Sequence, residues 1–454
     1  MRGWWTLWLV LVMACGGSAV MSAADSGDVD AFRARLRERL AKGEIDADEA
    51  QDIAERFMQR QIEKAKGDTG RRGLESIQSC AAHFEGALSR RADAADELAA
   101  RAAMVRVEAG QLPPLAYASY VTHKEPHWRA LGVRTLTVRQ PEPEDASSGR
   151  LEEMEHAGRW RRKLMTDPYA EVRRAALRAS AVAADRRDGQ AVLEAARLDP
   201  EPKARLEAIA AAGAIGTRDV VLALGDLWQR ADEEQRIAIV GAWKTAWKRG
   251  QSACEGSERS QAHCIAHERL ASTSQTDKSM PAVAASLALL DVPPSKANTA
   301  AGIAGSVLER LIDEAPARVR VAAIQGAPLS WPHLLEAIVD ASKGTDERVV
   351  AAALGRMTEL GEKERAGALK RLRKLAKGEG EAAEEARKAL VHARDSAVVP
   401  LLASDARAKS AFLRARTAEH YGKLGAVDKA LALLGDPDAH VRSRAACALL
   451  EMAD

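Results

Sequence analysis

The chain has 454 residues, with 67 basic and 65 acidic side chains and a formal net charge of +2. This balance argues against a general affinity for nucleic acid or for anionic membrane surfaces. Hydrophobic residues make up 46% and aromatic residues only 4%, so the core must come mainly from Ala, Leu and Val, which suits closely packed helices.

Residues 1–24 have the layout of an export signal. Arg2 precedes a short apolar run, and two glycines then follow Cys15. The segment VMAC is similar to a bacterial lipoprotein signal, in which Cys15 is lipidated. The segment SAA at 22–24 suits ordinary signal peptidase instead, and an uncleaved anchor is a third alternative because residues 4–24 carry no charge. We therefore expect an exported protein, periplasmic or membrane-anchored in a Gram-negative-type envelope, with membrane contact only through an N-terminal lipid anchor.

Residues 25–97 form a separate N-terminal helical region in our prediction. Charged segments such as FRARLRERLAK and DEAQDIAERFMQRQIEKAK flank Gly43, and the apolar segment SIQSCAAHFEGAL follows. We expect these helices to form a bundle that caps the remainder of the chain.

A short motif recurs about every 30 residues from residue 98 onward. It combines an Asp-Pro pair with a small or β-branched residue and an arginine, as in DPYAEVRRAALRAS and DPDAHVRSRAACALL. We expect Asp to cap a helix, Pro to occupy its first position, Val to face the core, and Arg to play a structural role that includes pairing between neighbours. The motif residues are Asp167, Pro168, Val172, Arg173, Asp199, Pro200, Arg205, Val319, Arg320, Asp436, Pro437, Val441 and Arg442.

Each copy of the motif ends in a glycine-rich stop, after which a second apolar helix follows. Examples of the second helix are DVVLALGDLW and AVDKALALL. A single helical hairpin cannot bury its apolar face, whereas a stack of hairpins can. The pattern therefore predicts an all-α fold, an α-solenoid of stacked helical hairpins over residues 98–454.

The segment Ala418–Leu450 resembles the bacterial HEAT-like repeat, the variety also found in phycobilisome lyases, and Asp167–Trp228 resembles it equally. The resemblance implies an α-solenoid with HEAT-like repeats. Tetratricopeptide repeats are the nearest rival, but their period of ~34 residues fits less well. Pigment lyase activity conflicts with an export signal, and the iron-binding HEAT hydroxylases require several His-Glu dyads, whereas this chain has one at His267-Glu268.

The region at about 248–280 interrupts the repeats, and we predict an inserted loop there. It contains Cys254, His263, Cys264 and His267. An exported location favours a Cys254–Cys264 disulfide. A metal site is the alternative, although the adjacent His263 and Cys264 cannot easily both reach one tetrahedral ion.

These observations favour an exported protein-protein interaction scaffold that binds envelope partners along the groove lined by the second helices. We expect no catalytic residue, no metal, no cofactor and no nucleic-acid partner. The alternative is a metal-binding or enzymatic protein that uses the segment from Cys254 to His267. The basic segment RAGALKRLRKLAKG is interpreted as a solvated helix face with ion pairs inside the helix.

Overall fold

The computed structural model describes residues 19–42, 112–139, 147–249, 258–276, 278–291 and 298–438, together with single positions between 44 and 107 and after 438. These residues form helices and connecting turns, and no strand occurs among them. The all-α prediction is confirmed.

The helices with defined bounds follow one another without intervening strands. In chain order they are α1 Val29–Lys42, α2 Pro126–Arg134, α3 Ser148–Leu164, α4 Ala170–Ala183, α5 Gly189–Leu198, α6 Pro202–Ile215, α7 Arg218–Trp228, α8 Glu233–Arg249, α9 Glu258–Thr276, α10 Met280–Leu290, α11 Asn298–Glu314, α12 Ala317–Gly326, α13 Pro332–Ala341, α14 Glu347–Met357, α15 Glu362–Leu375, α16 Gly380–His392, α17 Ala411–Lys423 and α18 Val427–Ala432. Short 3₁₀ turns occupy Ala118–Thr122, Arg186–Asp188, Ser396–Ala403, Asp405–Arg407 and Leu433–Gly435.

The chain forms two compact units. Unit 1 comprises Met1–Thr135 and Asp405–Asp454, and unit 2 comprises Leu136–Ser404. The predicted boundary at residue 98 and the predicted single solenoid over 98–454 therefore differ from this division. The C-terminal copies carry the same motif as the copies in unit 2. No sequence pattern therefore indicates the division between the two units.

Unit 2 is a two-layer stack of helical hairpins, the α-solenoid that the repeat predicts. One layer, here called the motif layer, contains α4, α6, α8, α10, α12, α14 and α16, each packed on the next. The other, the opposite layer, contains α5, α7, α9, α11 and α13 in contact one after another, with α15 against α14 and α16.

Small residues allow the motif-layer helices to approach closely. A Cβ built on Gly213 of α6 would lie 2.6 Å from the carbonyl oxygen of Ala242 in α8, and one built on Gly355 of α14 would lie 2.9 Å from Cβ of Ala389 in α16. Helix α6 ends at Ile215 and is followed by Gly216, whose φ of +58° is the left-handed conformation that glycine adopts without strain. Alanine and glycine thus set the spacing between hairpins.

Unit 1 contains its own aromatic and apolar packing. In α1, Phe32 is buried and stacks on Phe57 with ring centroids 3.8 Å apart. Trp128 of α2 is buried under the guanidinium of Arg33, which lies 4.5 Å from the ring centroid. Near the C-terminus, the side chain of Val441 is buried as its motif position predicts.

The inserted-loop prediction at about 248–280 is wrong for most of that region. Residues Glu258–Thr276 form α9, which packs against α7, α8, α10 and α11 as a regular member of the opposite layer. Ala262, Ala266 and Leu270 are buried at helical spacing. The Gly- and Ser-rich residues before this stripe concealed it, and residues 250–257 lie outside the described part of the chain.

Residues 1–18, including Cys15, also lie outside the described residues. Residues 19–24 of the predicted export signal are helical, and Val20 and Ala24 are buried. Of the region 25–97, α1 and a few single positions are described. Within the described ranges, no helix is both long enough and apolar enough to cross a membrane.

Candidate functional site

Arg173 of α4 joins two consecutive hairpins of unit 2. Its Nε donates to Asp199 Oδ2 at 2.7 Å, and its Nη2 donates to Asp199 Oδ1 at 2.9 Å. Its Nη1 donates to the carbonyl oxygens of Asp167 and Pro168 at 3.0 and 3.1 Å. Burial raises the pKa of Asp199, but the hydrogen bonds from Arg173 and from the Glu201 N–H outweigh it and hold the pKa below its ordinary value. One guanidinium therefore fixes two turns.

The motif aspartates cap turns rather than helices, which corrects the sequence prediction. Asp167 Oδ1 accepts the N–H of Tyr169, and Asp199 Oδ1 accepts the N–H of Glu201, each two residues further on. Helix α4 begins only at Ala170, so Pro168 precedes the helix instead of occupying its first position. Pro200 likewise precedes α6. The physical reason is that an Asx turn takes up the two residues after each aspartate.

The same arginine geometry recurs in unit 1. Arg414 of α17 donates from Nε and Nη2 to Asp436 at 2.7 and 2.9 Å, and from Nη1 to the Ala408 carbonyl at 2.8 Å. At two other described copies, the motif arginine makes the backbone contact. Arg205 donates to the Asp199 carbonyl at 2.8 Å, and Arg320 donates to the Ile312 carbonyl at 2.6 Å.

The other motif positions behave as structural residues. Val172 and Val319 are buried, as expected for the core-facing position. Pro437 lies in the turn before the last copy, while the side chain of Arg442 is outside the described part of the chain. In the contacts described above, these residues line no cavity and present no reactive group.

A second charged cluster stabilises the first hairpin of unit 2. Arg161 of α3 is fully buried and donates to Asp188 at 2.6 Å, to the Leu136 carbonyl at 2.8 Å and to Asp185 at 3.3 Å. The Ser180 hydroxyl donates to Asp188 at 2.9 Å. A paired and fully hydrogen-bonded buried charge is a structural feature, and the sequence analysis did not identify it.

The turns held by Arg173 carry the exposed apolar residues of this edge. Tyr169, next to Pro168, is 53% exposed, and Leu198, next to Asp199, is 76% exposed. Since Arg173 binds both Pro168 and Asp199, the two side chains lie on neighbouring turns of one edge. The exposed prolines at 168, 200 and 202 extend this surface. We call Tyr169, Leu198 and these three prolines the turn-edge patch.

The sequence analysis missed the turn-edge patch. A large apolar residue beside an Asp-Pro pair, as in DPY and LDP, is the signal that could have identified it. Turn positions are ordinarily polar because they face water. Tyr169 lies in such a turn, and Leu198 is the last residue of α5, immediately before the next one.

In the motif layer of unit 2, two side-chain contacts each join a pair of helices across the helix that lies between them. Arg318 at the start of α12 pairs with Glu233 at the start of α8 at 2.6 Å, across α10. Gln325 of α12 donates to Glu385 of α16 at 2.6 Å, across α14. Helix α10 has no exposed residue, and the six residues 349–354 of α14 are all buried.

The residues expected to form a disulfide or metal site lie on α9 and before it. Cys264 is disulfide-bonded, while Cys254 lies outside the described residues, so the pairing of the two stays a prediction. His263 Nδ1 contacts the carbonyl of Trp247, and His267 lies against the Trp247 ring at 5.0 Å between centroids. Burial, followed by the charge of His263, lowers the pKa of His267. Within the described ranges, no group of three or more His, Cys, Asp or Glu side chains is arranged to hold a metal ion.

Comparison with known proteins gives distant structural likenesses. No family model and no curated protein matches the chain. Among solved structures, an engineered protein is 17% identical and aligns over 97% of this chain and 99% of its own, with a TM-score of 0.22. Importin beta in an ammonium sulfate condition is 12% identical over 95% of this chain, and a Kap121p mutant is 14% identical over 95%, each with a TM-score of 0.34.

The chain spans 65% of the importin beta chain and 50% of the Kap121p chain. Likenesses at these TM-scores carry no argument about function, and the fold class rests on the helices themselves.

Proposed function

We propose that the protein is a protein-protein interaction scaffold whose partner docks on the turn-edge patch of unit 2. The observation that carries this proposal is the exposure of Tyr169 and Leu198 on two turns that a single buried ion pair holds together. Large side chains that are exposed on a fixed framework lose little further freedom on binding. Tyrosine is also enriched among residues that dominate binding energy.

The turn-edge patch fits a partner better than the face of the motif layer between α8 and α16 does. The contacts of Arg318 with Glu233 and of Gln325 with Glu385 cover that face. A partner would have to break both contacts before reaching α10 or α14. The second helices, which the sequence predicts to line an extended groove, belong to the opposite layer. These two contacts do not reach that layer, so the groove stays a prediction beside the docking surface proposed here.

Export and an envelope partner are part of the same proposal. Their support is the signal-like pattern of residues 1–24, with Cys15 as the lipidation site if the lipoprotein-type cleavage operates. The partner is a protein that presents an apolar surface to Tyr169 and Leu198. No catalytic step, cofactor or nucleic acid enters the proposal.

Site-specific photo-crosslinking in cells tests the docking surface. A photoreactive phenylalanine derivative would replace Tyr169 or Leu198 in the full chain, and Val182, which is 44% exposed at the other end of α4, would be the matched control. We expect one defined adduct from the two turn positions and none from Val182. Tyr169→Ala with Leu198→Ala should then weaken the purified complex at least about tenfold. Equal adducts from all three positions, or unchanged affinity, would refute the proposal.

A further inference from the structure

Helix α15 of unit 2 and the turn after it carry a run of basic residues, which follows Glu362 and Glu364 in the first turn of the helix. The segment 365–378 contains six basic residues and no acidic residue, in a chain whose net charge is only +2. The basic residues are Arg365, Lys370, Arg371, Arg373, Lys374 and Lys377. The ion pairs expected within this helix are not formed by these six side chains among the described residues.

The three arginines are held by neighbouring segments. Arg371 Nη2 donates to the Ser342 carbonyl at 2.7 Å, after the end of α13. Arg373 Nε donates to Asp395 Oδ2 at 2.7 Å, and Arg365 Nη2 donates to the Ala393 carbonyl at 3.2 Å, both after the end of α16. The helix is thus attached on two sides, and its orientation is fixed.

The three lysines face outward. Lys370, Lys374 and Lys377 are exposed, and none has an ion-pair partner within the described part of the chain. We call these three residues the lysine stripe. Like charges three and four positions apart on a helix repel one another, and their position near the helix C-terminus offsets only part of that repulsion. Local stability alone therefore does not account for three lysines here.

We propose that the lysine stripe binds an acidic helix of a partner protein, with carboxylates at i, i+3 and i+7. Lys370 and Lys374 lie at i and i+4 of α15. Lys377 lies at i+7 in the turn after the helix, where its N–H donates to the Lys374 carbonyl at 3.4 Å. This spacing matches such a helix when it runs antiparallel to α15. The side chains span roughly 10 Å along the axis, at 1.5 Å per residue. Charge complementarity of this kind sets association rate and orientation more than affinity.

Two other polyanions fit the stripe less well. Bidentate binding of phosphate groups favours arginine, and the arginines of α15 are already engaged with Ser342, Asp395 and Ala393. Stable attachment to a lipid surface also requires exposed apolar side chains. No large exposed apolar residue occurs on α15. Lysine side chains act as separate point charges, and this suits a partner that presents separate carboxylates.

The lysine stripe is distinct from the turn-edge patch, because the stripe lies at α15 whereas the patch lies on the turns before α4 and α6. Its test consequently does not depend on the partner proposed above. The probe is a fluorescein-labelled alanine-based helical peptide with glutamates at i, i+3 and i+7, titrated with the full chain and followed by anisotropy. A peptide with glutamines at the same positions is the neutral control.

The variants separate stripe binding from net charge. Lys370→Glu, Lys374→Glu and Lys377→Glu together should weaken peptide binding at least about tenfold, since three attractions become repulsions. Lys203→Glu, Arg230→Glu and Lys423→Glu, also exposed, change the net charge equally and should alter binding less than about twofold. Lysine-to-arginine replacement of the stripe should retain binding.

Three results with the peptides and the variants would overturn the proposal. These are the absence of peptide binding at 50 mM salt, an equal loss in both triple variants, and binding of the glutamine peptide as tightly as the glutamate peptide. Vesicles containing phosphatidylglycerol and a single-stranded oligonucleotide serve as competing probes. Tighter stripe-dependent binding to either of these than to the peptide would reject the acidic helix in favour of that polyanion.

Discussion

Arg173 and Asp199 form a two-point ion pair between consecutive hairpins, with nitrogen–oxygen distances of 2.7 and 2.9 Å and both side chains buried. Asp199→Ala leaves the guanidinium without its charged partner and removes the acceptor of the Glu201 N–H. We expect the free energy of unfolding to fall by about 3 kcal/mol, as for other broken buried pairs. Urea denaturation followed by circular dichroism measures it.

Asp219→Ala is the matched control for this loss. Asp219 lies in the first turn of α7 with its side chain 84% exposed, and its only described ion pair is a 3.7 Å contact to Arg218. Exposed pairs contribute little, so a change within about 0.5 kcal/mol is expected. Equal losses in the two variants would mean that the Arg173–Asp199 pair does not hold the hairpins together.

Gly213 and Gly241 make a second matched pair, one at a helix contact and one on an open surface. The new methyl group of Gly213→Ala would lie 2.6 Å from the Ala242 carbonyl oxygen, so α6 and α8 must separate. A methyl group on Gly241 meets nothing within 4 Å. Overpacking should cost about 1–3 kcal/mol at Gly213, whereas alanine at Gly241 should stabilise α8 by about 0.5–1 kcal/mol. Thermal unfolding of both variants measures these changes in stability. If both substitutions stabilised the protein, the close approach of α6 and α8 at Gly213 would be contradicted.

The fold can be predicted from the sequence more fully than the binding surfaces can. The recurrence of Val172 and Arg173 in later copies predicts hairpins, because a local period follows from local residues. The contact of Arg318 with Glu233 joins α12 to α8 across α10, and no local pattern encodes which helices of a stack curve toward one another. The turn-edge patch was missed for a related reason, since exposure at a turn depends on which neighbouring turn lies beside it.

The helix over Glu258–Thr276 shows that local composition alone can predict a loop where a helix forms. The polar residues GSERSQ before Ala262 indicate a loop, yet Ala262, Ala266 and Leu270 pack into the stack. Tertiary packing of three apolar side chains outweighed a polar flanking composition. The same reasoning also misplaced the motif aspartates, because Asp-Pro suits both a helix start and an Asx turn.

The disulfide of Cys264 has a direct chemical test. Proteolysis under non-reducing conditions and mass spectrometry should yield one peptide pair linking Cys254 to Cys264. Cys254→Ser with Cys264→Ser should then lower the free energy of unfolding by about 2–3 kcal/mol, the entropic contribution of a short closed loop. Cys80→Ser is the control and should leave the linked peptide intact. A different partner for Cys264 would contradict the assignment.

His267 gives the protein a predicted sensitivity to mild acid. Its pKa is lowered, first by burial and then by the charge of His263. The unfolded chain therefore binds a proton at a higher pH than the folded chain does, and stability is lost as pH falls below the ordinary histidine value of about 6.5 toward the folded pKa. We expect the urea midpoint of the protein to decrease between pH 7.5 and pH 5. His267→Gln should flatten that decrease, because it removes the titrating group while keeping a polar side chain beside Trp247. His392→Gln, at a side chain 76% exposed, is the control for replacing a histidine at the surface. A profile that His267→Gln does not flatten would assign the acid sensitivity to other groups.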